Sequence, residues 1–318
     1  MADVVILTLS DPAGCGDACG CGDAELSNAD LLASSQLSRA DQPASSQKPR
    51  VPVLACADAL RASGATVQFV TACSDAEIDA AVKPVEAGDA RLIVAAATDA
   101  ELRAVVRRLV RHHAPPPSKR PSDLPPDRTV FDLPPLAVLA LAPGVPDLVG
   151  LLDLPRDPAT VAAAVLGGRE RRLDLLRNDA GSVTLGGALI GGVDANGSVT
   201  PWRGRVEVDD AVLTEGDEPI LACSVRNVGS SEVDGLPLVT AADATDGNIQ
   251  VAIAVPVLTR RLLRGTSVRF EVRRARGRGA SVTPRDAEVP NVDDGVAGTL
   301  TRKRSWWIER GAWAAYVM

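Results

Sequence analysis

Two periodicities divide this chain. Up to about residue 168, compact apolar runs alternate with segments whose apolar residues recur every three or four positions. Beyond it, short alternating runs are separated by Gly, Asn and Asp. The runs at 4–9, 66–71, 92–97 and 135–141 read as strands buried on both faces, as in a parallel sheet. Residues 53–62, 74–85, 98–113 and 159–166 read as the helices between them. Ser74 with Glu77, and Thr98 with Glu101, have capping-box spacing. In the third helix Leu102, Val105, Val106, Leu109 and Val110 share one face, while Arg103, Arg107, Arg108 and Arg111 lie mostly off it. Asp157-Pro158 opens the last helix and Gly167-Gly168 closes it.

From residue 169, segments such as SVTLGGALIGG, GRVEVDDAVL and NIQVAIAVPV predict short strands joined by tight turns. Residues 258–263 have helical character, and 306–318 read as an aromatic terminal strand. The expected fold class is α/β + all-β: a Rossmann-like three-layer N-terminal domain, then a β-sandwich or barrel-like domain. The boundaries fall at 1–168, with a C-terminal return over 300–318, and at 169–299.

Composition narrows the partners. Net charge is −7 with a pI near 5.0, so no nucleic acid is expected. Aromatics make up 3% of the chain, so Ala, Val and Leu must build its cores. No apolar run is long enough for a membrane span, and the N-terminus lacks a signal-peptide pattern. The expected location is cytoplasmic, with six reduced cysteines. Cys15, Cys19 and Cys21 cluster in a Gly/Asp-rich loop, without the paired spacing or nearby His of a zinc site. Residues 22–50 read as mobile, with a short helix over 25–33. Residues 114–126 form a proline-rich linker after His112 and His113, which suit a helix C-terminus. A basic stretch, Arg260, Arg261, Arg264, Arg269, Arg273, Arg274, Arg276 and Arg278, with Arg302, Lys303 and Arg304 nearby, is a candidate patch for anionic lipid headgroups or nucleic acid, and the feature by which the protein would sit peripherally at an anionic membrane. The plainer reading is strand surface balanced by acidic neighbours. Edge strands and the aromatic tail would be the surfaces of a homodimer.

In an α/β sheet, ligands bind where a strand gives way to a helix. Here that place holds Ala96-Ala97-Thr98-Asp99-Ala100, followed by Glu101. Upstream, the first strand runs into Asp11-Pro12-Ala13-Gly14, and a later one ends at Thr71. Downstream come Ala142-Pro143-Gly144-Val145-Pro146-Asp147, then Leu236-Pro237-Leu238 through Thr245-Asp246-Gly247-Asn248-Ile249, and finally Val292-Asp293-Asp294-Gly295. In order, these landmarks resemble the diacylglycerol kinase catalytic family, bacterial lipid kinases related to sphingosine kinases and NAD kinases. That family has Asn-Pro-x-Ser-Gly after the first strand, Gly-Gly-Asp-Gly-Thr at the central turn and Val-Asp-Gly-Glu near the end.

The resemblance implies ATP and Mg²⁺ as cofactors and a small-molecule or lipid ligand bearing a hydroxyl. It places Asp11, Gly14, Gly16, Thr71, Ala96, Ala97, Thr98, Asp99, Glu101, Gly144 and Asp147 around the nucleotide, with Asp99 at the metal. It gives Asp293 or Asp294 the acceptor's proton. The residues themselves depart from that pattern. Phosphate loops use glycine so that backbone N–H groups can approach, and Ala96, Ala97 and Ala100 stand there instead. Asp99 and Glu101 suit a helix start but repel a phosphate. Two readings follow: a divergent ATP-dependent lipid kinase, or a catalytically inactive kinase fold serving as a binding or regulatory protein. Asp99 also reads as a helix-start residue, Asp246-Gly247 as a hairpin turn, and Asp293-Asp294-Gly295 as a turn.

Overall fold

The computed structural model describes residues 3–10, 50–142, 148–192, 200–261, 265–286 and 288–318. The N-terminal portion runs β1 (Asp3–Leu9), α1 (Arg50–Ala62), β2 (Thr66–Ala72), α2 (Asp75–Glu86), β3 (Arg91–Ala96), α3 (Asp99–His113), β4 (Leu136–Ala140), α4 (Leu148–Leu151) and α5 (Pro158–Gly167). Strands follow: β5 (Glu170–Asn178), β6 (Val183–Thr184), β7 (Gly187–Gly191), β8 (Gly204–Val208), β9 (Ala211–Thr214), β10 (Ala222–Arg226), β11 (Gly229–Val233) and β12 (Leu236–Ala242). The last six are β13 (Ile249–Arg261), β14 (Gly265–Gly277), β15 (Gly279–Pro284), β16 (Val289–Asp293), β17 (Val296–Leu300) and β18 (Arg304–Tyr316).

The first four strands form a parallel sheet in the order β2-β1-β3-β4. Their cores are continuous apolar runs because helices cover both faces: β3 and the apolar stripe of α3 share one cluster, and α1 and α5 pack on the other side. β18 returns to lie beside β4 and carries the sheet on through β15, β8 and β9. A separate antiparallel sheet has the order β14-β13-β10-β7-β16-β17, and β11 and β12 form a small ribbon. The α/β start and the antiparallel β remainder agree with the expected fold class.

Both capping boxes form. Ser74 and Thr98 accept the N–H groups of Glu77 and Glu101, each at 3.3 Å. The Glu77 and Glu101 carboxylates reach back to the N–H groups of Cys73 and Ala97, at 2.5 and 3.0 Å. Arg108, placed off the apolar face by its spacing, is buried between helices. It grips Asp79 through Nε and Nη2, and Asp75 through Nη1 at 3.0 Å, which fixes α3 against α2. His112 likewise finds Glu86 and Asp79 on α2, at 2.9 and 3.1 Å.

Asp174 and Asn227 tie the β-rich portion together. The buried Asp174 carboxylate accepts the N–H groups of Gly247 and Gly311, both at 2.7 Å. Gly311 lies in the register shift between Glu309 and Trp313 of β18, with φ +56°. Asn227 is fully buried and donates to the carbonyls of Asp174 and Leu185. Burial pushes the Asp174 carboxyl above its ordinary range, against the pull of the two N–H groups.

Three expectations are corrected. Residues 258–261 are strand rather than helix: they continue β13 and pair residue by residue with β14, and this ladder overrides the local helical pattern; residues 262–263 lie outside the described set. Asp246-Gly247 is no hairpin turn, because it connects β12 to β13, which belong to different sheets. Cys73 is disulfide-bonded rather than reduced, whereas Cys56 and Cys223 are buried free thiols. Cys15, Cys19, Cys21 and the segment read as mobile up to residue 49, with its helix at 25–33, lie outside the described residues.

Candidate functional site

The β3–α3 turn stands at the carboxyl edge of the parallel sheet, the position where an α/β fold receives ligands. Ala96 is buried, and its carbonyl accepts the N–H of Leu141, so it continues the sheet. Thr98 is the N-cap of α3. Its hydroxyl takes the Glu101 N–H, and Glu101 takes the Ala97 N–H. Two N–H groups of the turn are thus engaged by the turn's own side chains. Asp99, the first residue of α3, accepts the Leu148 N–H at 3.0 Å and thereby ties the start of α4 to the start of α3. Thr71 sits two strands away on the same sheet edge, its hydroxyl 3.0 Å from that of Thr8. Asp11, Gly14, Gly16, Gly144 and Asp147 lie outside the described residues.

The second half of the site comes from the antiparallel sheet. Asp294 and Gly295 form the two-residue turn between β16 and β17, with φ +47° and +79°. Positive φ at both positions is the geometry that Asp-Gly hairpins favour. The Asp294 carboxylate is buried and points back into the protein. It accepts the N–H groups of Leu185, Gly186 and Gly187 at 2.6, 2.8 and 3.0 Å, and so pins the entry to β7. Gly186 is a close approach: a Cβ there would lie 3.0 Å from the Asp294 carboxylate and 3.1 Å from Leu148.

Asp293 faces the first portion of the chain. Arg103 of α3 donates to its carboxylate at 3.1 Å and to its carbonyl at 3.0 Å. The same guanidinium donates to the Val183 carbonyl at 2.7 Å and the Ser182 hydroxyl at 2.9 Å. All of its donors therefore bridge α3 to the strands around β6 and β16. Asp293 Oδ1 is buried beside the Thr184 hydroxyl and meets no donor in hydrogen-bond geometry. Burial and the neighbouring Asp294 push the Asp293 carboxyl up to about 7, while Arg103 pulls it back. Burial raises Asp294 as well, against its three N–H partners.

Arg226, at the end of β10, lies within electrostatic reach of both Asp294 and Asp99. A Cβ on Gly187 would lie 2.5 Å from the Arg226 Cδ, so the arginine stem lies directly on that glycine. Burial lowers the pKa of this guanidinium, and the charges of Asp294 and Asp99 oppose the shift. The structure thus brings Asp99, Asp293 and Asp294 to one region, with Arg103 and Arg226 between them. Neither arginine stood out in the sequence, because their partners are remote along the chain. The Gly186-Gly187 pair was the available signal, since adjacent glycines inside a strand pattern mark a close backbone approach.

A triphosphate does not fit the turn as its described residues are arranged. The Ala97 and Glu101 N–H groups are taken, and Asp99 and Glu101 put two carboxylates at the helix N-terminus. A like charge about 4 Å away costs roughly 4 kcal/mol at an effective dielectric near 20.

No family sequence model matches the chain, and no curated protein matches it by sequence. Solved structures do match by fold. A diacylglycerol kinase from Bacillus anthracis str. Sterne superposes with a TM-score of 0.61 at 10% identity, covering 99% of this chain and 97% of that one. Two structures of a diacylglycerol kinase-like protein from the same strain give a TM-score of 0.62 at 12% identity, with the same coverage. The fold is that of the bacterial diacylglycerol kinases along nearly the whole chain.

Proposed function

We propose that this protein uses the diacylglycerol kinase fold for binding or regulation, without phosphoryl transfer at the β3–α3 turn. The observation that carries the reading is the closed capping box. Thr98 and Glu101 occupy N–H groups of the turn that an incoming phosphate would have to take, and both carboxylates there are of the wrong sign. The acidic pair supports it further. Asp294 is committed to three backbone N–H groups and Asp293 to Arg103, so both hold structure.

One observation favours the second reading, an ATP-dependent lipid kinase. A carboxyl raised to about 7 is suited to accept a proton from an acceptor hydroxyl, and Asp293 has this property. Its burial and its ion pair with Arg103 weigh against that role. The test is transfer of labelled γ-phosphate from Mg²⁺–ATP to dispersed diacylglycerol, with wild type and Asp99→Ala side by side. The expected rate equals the protein-free blank for both. A wild-type rate above the blank that Asp99→Ala abolishes would establish the kinase instead.

A further inference from the structure

The proline-rich stretch that follows α3 is fastened to the strands that come later in the chain. Its Phe131 N–H bonds the carbonyl of His113, the last residue of α3, at 3.3 Å. Thr129 donates its backbone N–H and its hydroxyl to the two Glu309 carboxylate oxygens, and the Leu133 N–H bonds the Ala312 carbonyl at 2.8 Å. Between this stretch and the strands β5 and β18 lies a cavity of about 330 Å³, lined by Asp127, Arg128, Arg172, Asp174 and Arg310 among others. That volume is at the lower end of the range for ligand sites and far above the roughly 30 Å³ share of one water. The stretch begins where α3 ends, so the cavity is remote from the β3–α3 turn at the start of that helix.

The lining is cationic. It carries three guanidinium groups against two carboxylates. Asp174 commits both of its oxygens to the N–H groups of Gly247 and Gly311. Asp127 stands 3.7 Å from Arg310 and 3.8 Å from Arg278, beyond hydrogen-bond distance of either. Two acids outside the lining also face it: Asp132 takes Arg128 Nη1 at 2.5 Å and lies 3.7 Å from Arg172, and Glu170 lies 4.0 Å from Arg172.

Arg128 has one edge left over. Its Nε and Nη2 atoms are buried and meet no acceptor among the described residues. These two donors form the side of the guanidinium plane that fits both oxygens of a carboxylate or phosphate. Arg108 uses the same edge to grip both oxygens of Asp79. Buried donors without acceptors are costly, so a ligand that supplies two acceptors there gains from the defect.

We propose that this cavity binds a small organic oxyanion, a phosphate or a carboxylate. Two of its oxygens take the Nε–Nη2 edge of Arg128, and Arg172 and Arg310 flank its remaining charge. A metal ion or a cationic ligand would instead meet three guanidinium groups.

Calorimetry of the full chain with inorganic phosphate and, separately, with succinate, both at fixed ionic strength, tests this. Saturable one-to-one binding of at least one of them at millimolar concentration is expected. Phosphate alone would mark the ligand as phosphorylated, and succinate alone as a carboxylate. Arg128→Lys keeps a positive charge beside Asp132 but has no paired edge, so affinity should fall at least about tenfold. Arg310→Gln is the second variant. Its side chain is 48% exposed and its ion pair is long, so the thermal midpoint should hold while binding weakens severalfold. The proposal is overturned if neither anion binds saturably, if sodium chloride reproduces the isotherm, or if either variant binds like wild type.

Discussion

Asp294→Ala should lower the unfolding free energy by at least about 3 kcal/mol, measured by urea denaturation. Three buried N–H groups, those of Leu185, Gly186 and Gly187, lose their shared acceptor. Each buried donor left unpaired costs on the order of 1–3 kcal/mol, and only part of the sum is relieved when a buried charge disappears. The backbone adds to the loss, because φ at this position is +47°, a region that alanine enters at a cost of about 1 kcal/mol. Asp294→Asn separates these contributions. Asparagine tolerates the turn and keeps one oxygen for Gly186 and Gly187, which share Oδ1, but sets an amide donor against Leu185. Its loss should be clearly smaller. An alanine variant as stable as wild type would mean that the carboxylate does not hold the β7 entry.

Arg103→Met should cost about 3–5 kcal/mol, the range for removing one partner of a buried ion pair. Methionine preserves much of the apolar stem while deleting the donors to Val183, Ser182, and the carbonyl and Oδ2 of Asp293. The loss should depend on pH in a definite direction. The folded-state pKa of Asp293 is already raised to about 7, so the folded protein binds a proton that the unfolded chain has released. This contribution is fully present below the ordinary carboxyl pKa near 4 and is lost as pH rises through about 7. Removing Arg103 takes away the cation that favours the ionised form and raises the folded pKa further. The variant should therefore be more damaged at pH 8 than at pH 6. Adding Asp293→Asn to Arg103→Met should recover stability and flatten that dependence. An equal loss at both pH values would contradict the ionised pair as the link between α3 and the β16–β17 turn.

The elements of the α/β portion were legible because their signals are local. Thr98 with Glu101, Ser74 with Glu77, and Asp157-Pro158 each start a helix in the structure as their spacing predicted. The β13–β14 ribbon was not legible in the same way. Residues 258–261 have a helical pattern by themselves, and only their pairing with residues 265–268 makes them strand. The site divides similarly. Asp99 and Asp294 could be singled out as residues, but not what they hold. Asp99 bonds Leu148, 49 positions on, and Asp294 bonds an N–H 109 positions back. Arg103 looked like a solvated face of α3, and it reaches Asp293 across 190 positions. Such partners leave no trace in spacing, because the fold alone brings them together.

On the proposed reading, the diacylglycerol kinase fold is kept here while the β3–α3 turn is closed to nucleotide by the Thr98 and Glu101 side chains. Titration calorimetry of the full chain with Mg²⁺–ATP, carried to millimolar nucleotide, tests it most directly. No saturable heat beyond dilution is expected. A saturable isotherm with Kd tighter than about 1 mM, weakened by Asp99→Ala, would contradict it.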